Sequence, residues 1–277
     1  MTEFQFLLND RISKIQSINQ IYNLEKNSYL SFSGGKDSCV LSKLLDLALP
    51  NNSIPRVFLN TGIEYVSMVK FVRKLAEEDS QIVIVNSGVN ISEMLKTDGY
   101  PFKSKEHSQF VHDFQNEKNM ATVQRYLNKN FMGCPSKLKY QFTENFSLKI
   151  SDKCCYRLKK EPAKKWAKEN NKTISITGIR KEEKGLRWNK DSCTIFQSGN
   201  LKKFHPLMPV DESFINEFIK QYDVQLLELY YEPFNFERTG CKGCPFNPNL
   251  RKDLEIMKKF MPTEATNCEK IWGACLF

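Results

Sequence analysis

Apolar and polar residues come in regular blocks along the first third of this chain. Residues 27–33 end in Ser-Tyr-Leu-Ser-Phe-Ser, the pattern of a short strand. Residues 38–49 then place Val40, Leu41, Leu44, Leu45 and Ala48 on one stripe, which predicts an amphipathic helix. Pro50-Asn51-Asn52-Ser53 stops it. A second strand over 56–60 is followed by a helix over 65–78, with Val66, Val69, Val72 and Leu75 on one face. A third strand, the β-branched run at 81–86, completes the series. Strand and helix alternating at this spacing predict an α/β fold, a parallel sheet flanked by helices.

The pattern weakens after that. Residues 99–146 are polar, aromatic and poorly periodic, and read as an insert of helix and loop. Periodicity returns in a helix over 162–170, a strand over 173–178 and a helix over 211–222 that buries Phe214, Ile215, Phe218 and Ile219. The expected organisation is one domain over 1–235 carrying that insert, then a cysteine-bearing segment over 236–277.

Composition narrows the classes. The 277 residues are 40% hydrophobic and 26% charged, as in ordinary globular proteins. There is no secretory signal pattern and no apolar run long enough to span a membrane, so a cytoplasmic protein is expected. Nine cysteines then read as thiols or metal ligands, not as a disulfide framework. The net charge of +9 is uneven: residues 137–190 hold sixteen Lys or Arg against six Asp or Glu. Such a stretch is either a solvated lysine-rich face or a surface for a polyanion.

Two motifs carry chemistry. Ser33-Gly34-Gly35-Lys36-Asp37-Ser38 lies between a predicted strand and a predicted helix. There the glycines allow close backbone approach, and the helix N-terminus aims N–H groups at an anion. Lys36 adds charge, Ser33 and Ser38 add hydroxyl donors, and Asp37 suits a divalent cation beside phosphates. Leu30 and Asp37 stand where a Walker A loop needs Gly and Ser or Thr. The second motif is Cys154-Cys155 with the distant pair Cys241-Lys242-Gly243-Cys244. Four thiolates can close around zinc or an iron–sulfur cluster, and two unrelated thiol pairs are the alternative. Cys39 reads as core and Cys193 as a strand residue. Cys134 reads as structural or as a sulfur carrier, and Cys268 and Cys275 fit no known motif. The three histidines show no ligand spacing.

The six-residue loop resembles that of the N-type ATP pyrophosphatases, in the adenine-nucleotide alpha-hydrolase class with its Rossmann-like sheet. Phe58-Leu59-Asn60-Thr61-Gly62-Ile63-Glu64-Tyr65, Gly178-Ile179-Arg180 with Glu183 and Arg187, His205-Pro206-Leu207 and Arg238-Thr239-Gly240-Cys241 resemble segments of the phosphoadenylyl-sulfate (PAPS) reductase family. That resemblance implies ATP and Mg²⁺ at residues 33–38, with Leu59, Asn60 and Gly62 beside the nucleotide. It also implies Arg180 and Arg187 as phosphate or sulfate clamps, with Lys36, Asp37 and Arg180 taking part in catalysis. The tandem cysteines with Arg157, Lys159, Lys160 and Pro162 resemble the iron–sulfur motif of the adenylyl-sulfate (APS) reductase branch. A [4Fe–4S] cluster on Cys154, Cys155, Cys241 and Cys244 is therefore implied.

Two departures separate the chain from those reductases. Their phosphate loop is degenerate, whereas this one is intact, and their C-terminal Glu-Cys-Gly-Leu-His element is missing here. The chain thereby resembles the ATP-using sulfur-transfer relatives of DNA phosphorothioation and tRNA thiolation. This implies an adenylyl or sulfur transferase acting on a nucleic acid (DNA or tRNA) or a small molecule, with a donor of the cysteine desulfurase type. A sulfite-releasing APS/PAPS reductase and a non-catalytic nucleotide-binding subunit are the alternatives.

Overall fold

The computed structural model describes residues 2–129, 131–183 and 192–276, with side chains described to residue 273. Arg187, the last of the basic stretch and the side chain of Cys275 lie outside these. The chain forms two compact units that interleave along the sequence.

The first unit comprises Met1–Asn60, Val66–Asn86 and Pro162–Gly240. Its sheet contains β1 (Ser28–Phe32), β2 (Arg56–Asn60), β3 (Ile82–Asn86), β4 (Ile174–Ile176), β5 (Thr194–Gln197) and β6 (Asn200–Phe204). They are ordered β3-β2-β1-β4-β6-β5, all parallel except β5, which pairs antiparallel with β6. The predicted α/β sheet is therefore present. The β5–β6 hairpin turns at Ser198 and Gly199, both with positive φ (50° and 76°), the backbone a tight two-residue turn needs. Helix α1 (Glu3–Tyr22) and the short α2 (Leu24–Asn27) precede β1. The sequence reading missed α1 because its apolar positions are diluted, yet Leu8, Ile15 and Ile18 are buried. Helix α3 (Lys36–Ala48) buries Val40, Leu41, Leu44 and Leu45 completely, as its stripe predicts. Helix α4 (Val66–Glu78) buries Met68 and Val72.

Sheet order sets the site. The chain runs from β1 outward through β2 to β3, then returns to place β4 on the other side of β1. Loops after β1 and β4 diverge at this reversal, where open α/β sheets leave a crevice at the carboxyl ends of the strands. Leu30 is level with both Arg56 of β2 and Ile176 of β4, so residues 33–38 and 177–180 emerge side by side.

The second unit comprises Thr61–Tyr65, Ser87–Glu161 and Cys241–Phe277. It contains α5 (Ile91–Asp98), α6 (Lys105–Gln115) and α7 (Met120–Asn128). Val111, Val123, Tyr126, Phe142 and Ile150 form its core. The buried His107 ring spans Tyr126 (2.9 Å) and Gln141 (2.8 Å), so this histidine is a satisfied core group. After the remaining helix of the first unit that precedes β4, α8 (Glu161–Glu169), and α9 (Glu212–Gln221), the chain ends in α10 (Leu250–Phe260) and α11 (Pro262–Leu276). Trp272 of α11 is buried and donates from Nε1 to the Lys242 carbonyl (2.9 Å). Among the described residues no helix is long and apolar enough to cross a membrane.

Gly34 is the position where the loop leaves least freedom. Its φ is +70°, and a Cβ there would lie 2.4 Å from Met68 Sδ and 2.9 Å from Val72 Cγ2. Gly34→Ala is expected to lower unfolding free energy by about 1–3 kcal/mol through left-handed strain and crowding. Urea denaturation checks this, and an unchanged midpoint would show that the loop does not need its left-handed glycine.

Candidate active site

The loop is built from the inside out. β1 ends at Phe32 and α3 begins at Lys36, which leaves Ser33, Gly34 and Gly35 to make the turn. Ser38 Oγ donates to the Gly35 carbonyl (2.8 Å) and accepts from the Ser33 amide (3.2 Å), while the Gly35 amide donates to Ser33 Oγ (3.3 Å). These bonds hold the loop in its turned form. Gly178 crosses close by: a Cβ there would lie 3.1 Å from the Asp37 carbonyl oxygen.

Charges gather around this turn. Arg180 is buried and faces three carboxylates, with Nη2 to Glu212 (2.6 Å), Nη1 to Glu182 (2.9 Å) and Nε to Asp37 (3.1 Å). Lys36 Nζ also pairs with Glu212. One carboxylate thus engages Lys36 and Arg180, two of the three cations that the sequence assigns to phosphate. The Arg180–Asp37 approach lacks hydrogen-bond geometry, so Arg180 Nε and Asp37 Oδ1 are each buried without such a bond. Burial raises the Asp37 carboxyl, against the opposing pull of Arg180 and Lys36. Burial alone would also raise Glu212, but its bonds to Lys36 and the charge of Lys36 and Arg180 hold it below the usual carboxylate range. The Lys36 amide at the start of α3 donates to Tyr230 Oη (3.1 Å), itself bonded to Thr239 Oγ1 (2.7 Å).

Ser33, Gly34, Gly35, Lys36, Asp37, Ser38 and Arg180 are thus brought together in the first unit. Leu59 and Asn60 end β2, next to β1, with Asn60 bonded to Asn86 (3.0 Å). Gly62 belongs to the second unit, in the turn where the Thr61 amide and hydroxyl both donate to Glu64 (2.9 and 2.7 Å). Sequence reasoning missed Glu212, Glu182 and Tyr230. Glu212 follows the N-cap Asp211 of a clear amphipathic helix, but nothing in its local sequence marks it as a site residue.

The four cysteines all lie in the second unit. Cys154 and Cys155 open a helical turn that continues as a π-helix, Tyr156–Lys160, a form frequent at functional sites. Cys241 and Cys244 lie on a turn whose next residue, Lys242, donates its amide to the Ile63 carbonyl (2.7 Å). Gly243 there has φ +64° and leaves no room for a Cβ beside Cys268 Sγ, 2.8 Å away. Cys155 is held below the usual thiol range by its hydrogen bond with Cys154, helped by Lys105 and Lys159 against burial. Cys154 is raised in turn, chiefly by that same bond and by burial. Burial pushes Cys244 up to about 12. Lys159 lies against Cys241, with Glu64 and Cys155 in range, and its ammonium is stabilised by the thiolate charge.

The four thiols feel one another's charge, yet no three Cys, His, Asp or Glu groups among the described residues converge as ligands of a metal ion. Proximity decides coordination, so the structure shows a thiol cluster and not a finished metal centre. Its donors suit a soft metal group: four sulfurs, with Lys159 and Lys105 to offset anionic charge.

Comparison with known proteins places these features in a family. The phosphoadenosine phosphosulfate reductase domain matches residues 27–133 and 109–247. An uncharacterized protein of Methanocaldococcus jannaschii is 25% identical over 249 residues, covering 85% of this chain; the chain spans about half the length of that relative (48%). Two solved structures are loosely alike. PAPS reductase from Candida auris, in a phosphate complex, has TM-score 0.46 and 16% identity, covering 83% of this chain and 91% of that one. The U34-tRNA thiolase NcsA of Methanococcus maripaludis with its [4Fe-4S] cluster has TM-score 0.44 and 14% identity, covering 98% and 79%. Scores this low say nothing of what this chain binds.

Glu212 generates a test with a definite sign. Its depressed carboxyl contributes stability above its unfolded value, near 4.5, which is lost as pH falls through the folded value. Below pH 4.5 the thermal midpoint of the wild type should fall more steeply than that of Glu212→Gln. Freed of the carboxylate, Lys36 and Arg180 should also bind inorganic pyrophosphate several-fold more tightly in that variant. Parallel acid profiles with unchanged pyrophosphate affinity would remove Glu212 from the site's electrostatics.

Proposed function

Since the chain belongs to the phosphoadenosine phosphosulfate reductase domain family, we propose that it is an ATP pyrophosphatase of that family, activating an acceptor by adenylation for sulfur transfer. The observation that carries this reading is the intact loop at residues 33–38, set at the sheet's reversal with Lys36 and Arg180 beside it. A substrate that arrives already adenylated needs no cradle for pyrophosphate. ATP does.

The residues divide the work. The α3 N-terminus and the loop amides take the leaving pyrophosphate, with the Tyr230 hydroxyl yielding the Lys36 amide to it. Lys36 and Arg180 exchange Glu212 for phosphate oxygens, and guanidinium suits such oxygens because it can bond two at once. Asp37, and Glu212 once released, are the carboxylates suited to Mg²⁺ beside the phosphates. An acceptor oxygen attacks the α-phosphorus of ATP, its bond to pyrophosphate breaks, and the acceptor adenylate forms. Sulfur at the oxidation level of sulfide then displaces AMP, with loss of a proton. Cys154, Cys155, Cys241 and Cys244 would hold a [4Fe–4S] cluster, one thiolate to each iron, whose binding energy would brace the second unit. The acceptor in this reading is a nucleic acid, favoured by the ten-charge excess over residues 137–190, and the sulfur comes from a donor protein.

One preparation tests the reaction. Pyrophosphate and AMP should appear from ATP when acceptor and sulfur source are present, and Lys36→Ala should lower that rate about 100-fold or more. Sulfite release from adenylyl sulfate or its 3′-phosphorylated form with a thiol reductant, without ATP cleavage, would instead establish the reductase. Anaerobic protein should contain about four irons per chain, and Cys155→Ala and Cys244→Ala should each lose them. Stoichiometric zinc without iron would overturn the cluster assignment.

A further inference from the structure

The nucleic-acid acceptor of the proposed function needs a docking surface, and the second unit carries a basic segment with exposed aromatic side chains. Residues 118–143 contain no Asp or Glu but five cations: Lys118, Arg125, Lys129, Lys137 and Lys139. The same stretch exposes large apolar side chains. Phe131 is 83% exposed, Met132 78% and Tyr140 54%. Scattered single apolar residues on a surface are ordinary, but here three large ones stand exposed within ten positions of an acid-free segment.

The backbone is shaped to present these side chains. Helix α7 ends at Asn128, and the Lys129 amide still bonds to the Arg125 carbonyl (3.1 Å). The chain then folds back, so that the Cys134 amide reaches the Tyr126 carbonyl (3.0 Å). The return is so close that a Cβ on Gly133 would lie 2.4 Å from the Lys129 carbonyl oxygen. Met132 takes the left-handed conformation (φ 57°) to make the reversal, an unfavourable choice for this residue type. Cys134 is buried beneath the turn, and Phe131 and Met132 stand out at its tip. The following 3₁₀ turn, Ser136–Phe142, buries Gln141 and Phe142 while Lys137, Lys139 and Tyr140 face solvent. Gln141 is fixed by His107 (2.8 Å), and Tyr140 packs edge-on to Phe146 with ring centroids 5.5 Å apart. The outer face therefore rests on the unit's core.

We propose that this face, residues 125–129 and 131–140, binds a single-stranded stretch of nucleic acid, with Phe131 and Tyr140 stacking on unpaired bases and Lys129, Lys137 and Lys139 contacting phosphates. Aromatic rings interleaved with cations suit exposed bases along a polyanionic backbone. A duplex hides its base faces and leaves the rings without partners. An acidic protein partner would satisfy the lysines without needing the aromatic tip. The proposal rests on the nucleic-acid reading above, and the test separates the two.

Fluorescence anisotropy with a labelled single-stranded 20-mer, as RNA and as DNA, measures binding by the full chain, with a duplex of equal length as comparison. The wild type should prefer the single strand. Phe131→Ala with Tyr140→Ala should weaken it about tenfold at an unchanged salt slope. Lys137→Ala with Lys139→Ala should weaken it and reduce the salt slope by about 0.7 for each lost phosphate contact. Both variants should bind inorganic pyrophosphate as the wild type does, which shows that the first unit remains intact. Single-strand binding undiminished in both variants would overturn this surface while leaving the nucleic-acid acceptor standing. Absence of wild-type binding to any of the three nucleic acids would overturn both. Equal binding of duplex and single strand, with no loss in the aromatic variant, would overturn the stacking assignment.

Discussion

The ion group of Arg180, Lys36, Asp37, Glu182 and Glu212 is the constraint on which the rest of the site depends. A buried guanidinium must be compensated, because an unpaired charge away from water is far costlier than a paired one. Arg180 meets that condition with three carboxylates from three segments: the helix after the phosphate loop, its own loop and the start of α9. The loops after β1 and β4 are thereby tied together at the point where the sheet reverses direction. The same arrangement keeps cationic groups in place without phosphate. Glu212 is the internal anion that pairs with both Lys36 and Arg180, and in the proposed function an external anion of higher charge exchanges with it.

The second unit solves a related problem with sulfur. Its thiols are buried or partly buried, and all but Cys155 are shifted toward the protonated form. In the proposed cluster, binding would release these protons, and Lys159 and Lys105 would offset the charge of the resulting thiolates. Trp272 and Cys268 pack around the Cys241–Cys244 turn and leave it little freedom to rearrange.

What could be read from the sequence follows physical locality. The strand–loop–helix around residues 33–38 announces itself because its glycines, its periodic helix and its position all act within twenty residues. The cysteine pairs are legible as chemistry, and the fold places both in one unit. Glu212 was hidden because its role comes from a sheet reversal that joins residues 176 positions apart. Tyr230 was hidden for the same reason, since it reaches the Lys36 amide from 194 residues away. Helix α1 escaped because its burial comes from packing along α3 and not from strong amphipathicity of its own. The helices of residues 99–146 were blurred by aromatic residues that serve a small separate core.

Calorimetric titration with ATP, ADP and AMP tests the central claim that the loop at residues 33–38 is a cradle for the triphosphate. Affinity should fall in that order, ATP binding at least about tenfold more tightly than AMP, as charge-assisted contacts to the outer phosphates are lost. Lys36→Ala should erase most of the difference while leaving AMP binding nearly unchanged. Equal affinity for ATP and AMP in the wild type, or tighter binding of adenylyl sulfate than of ATP, would contradict the account.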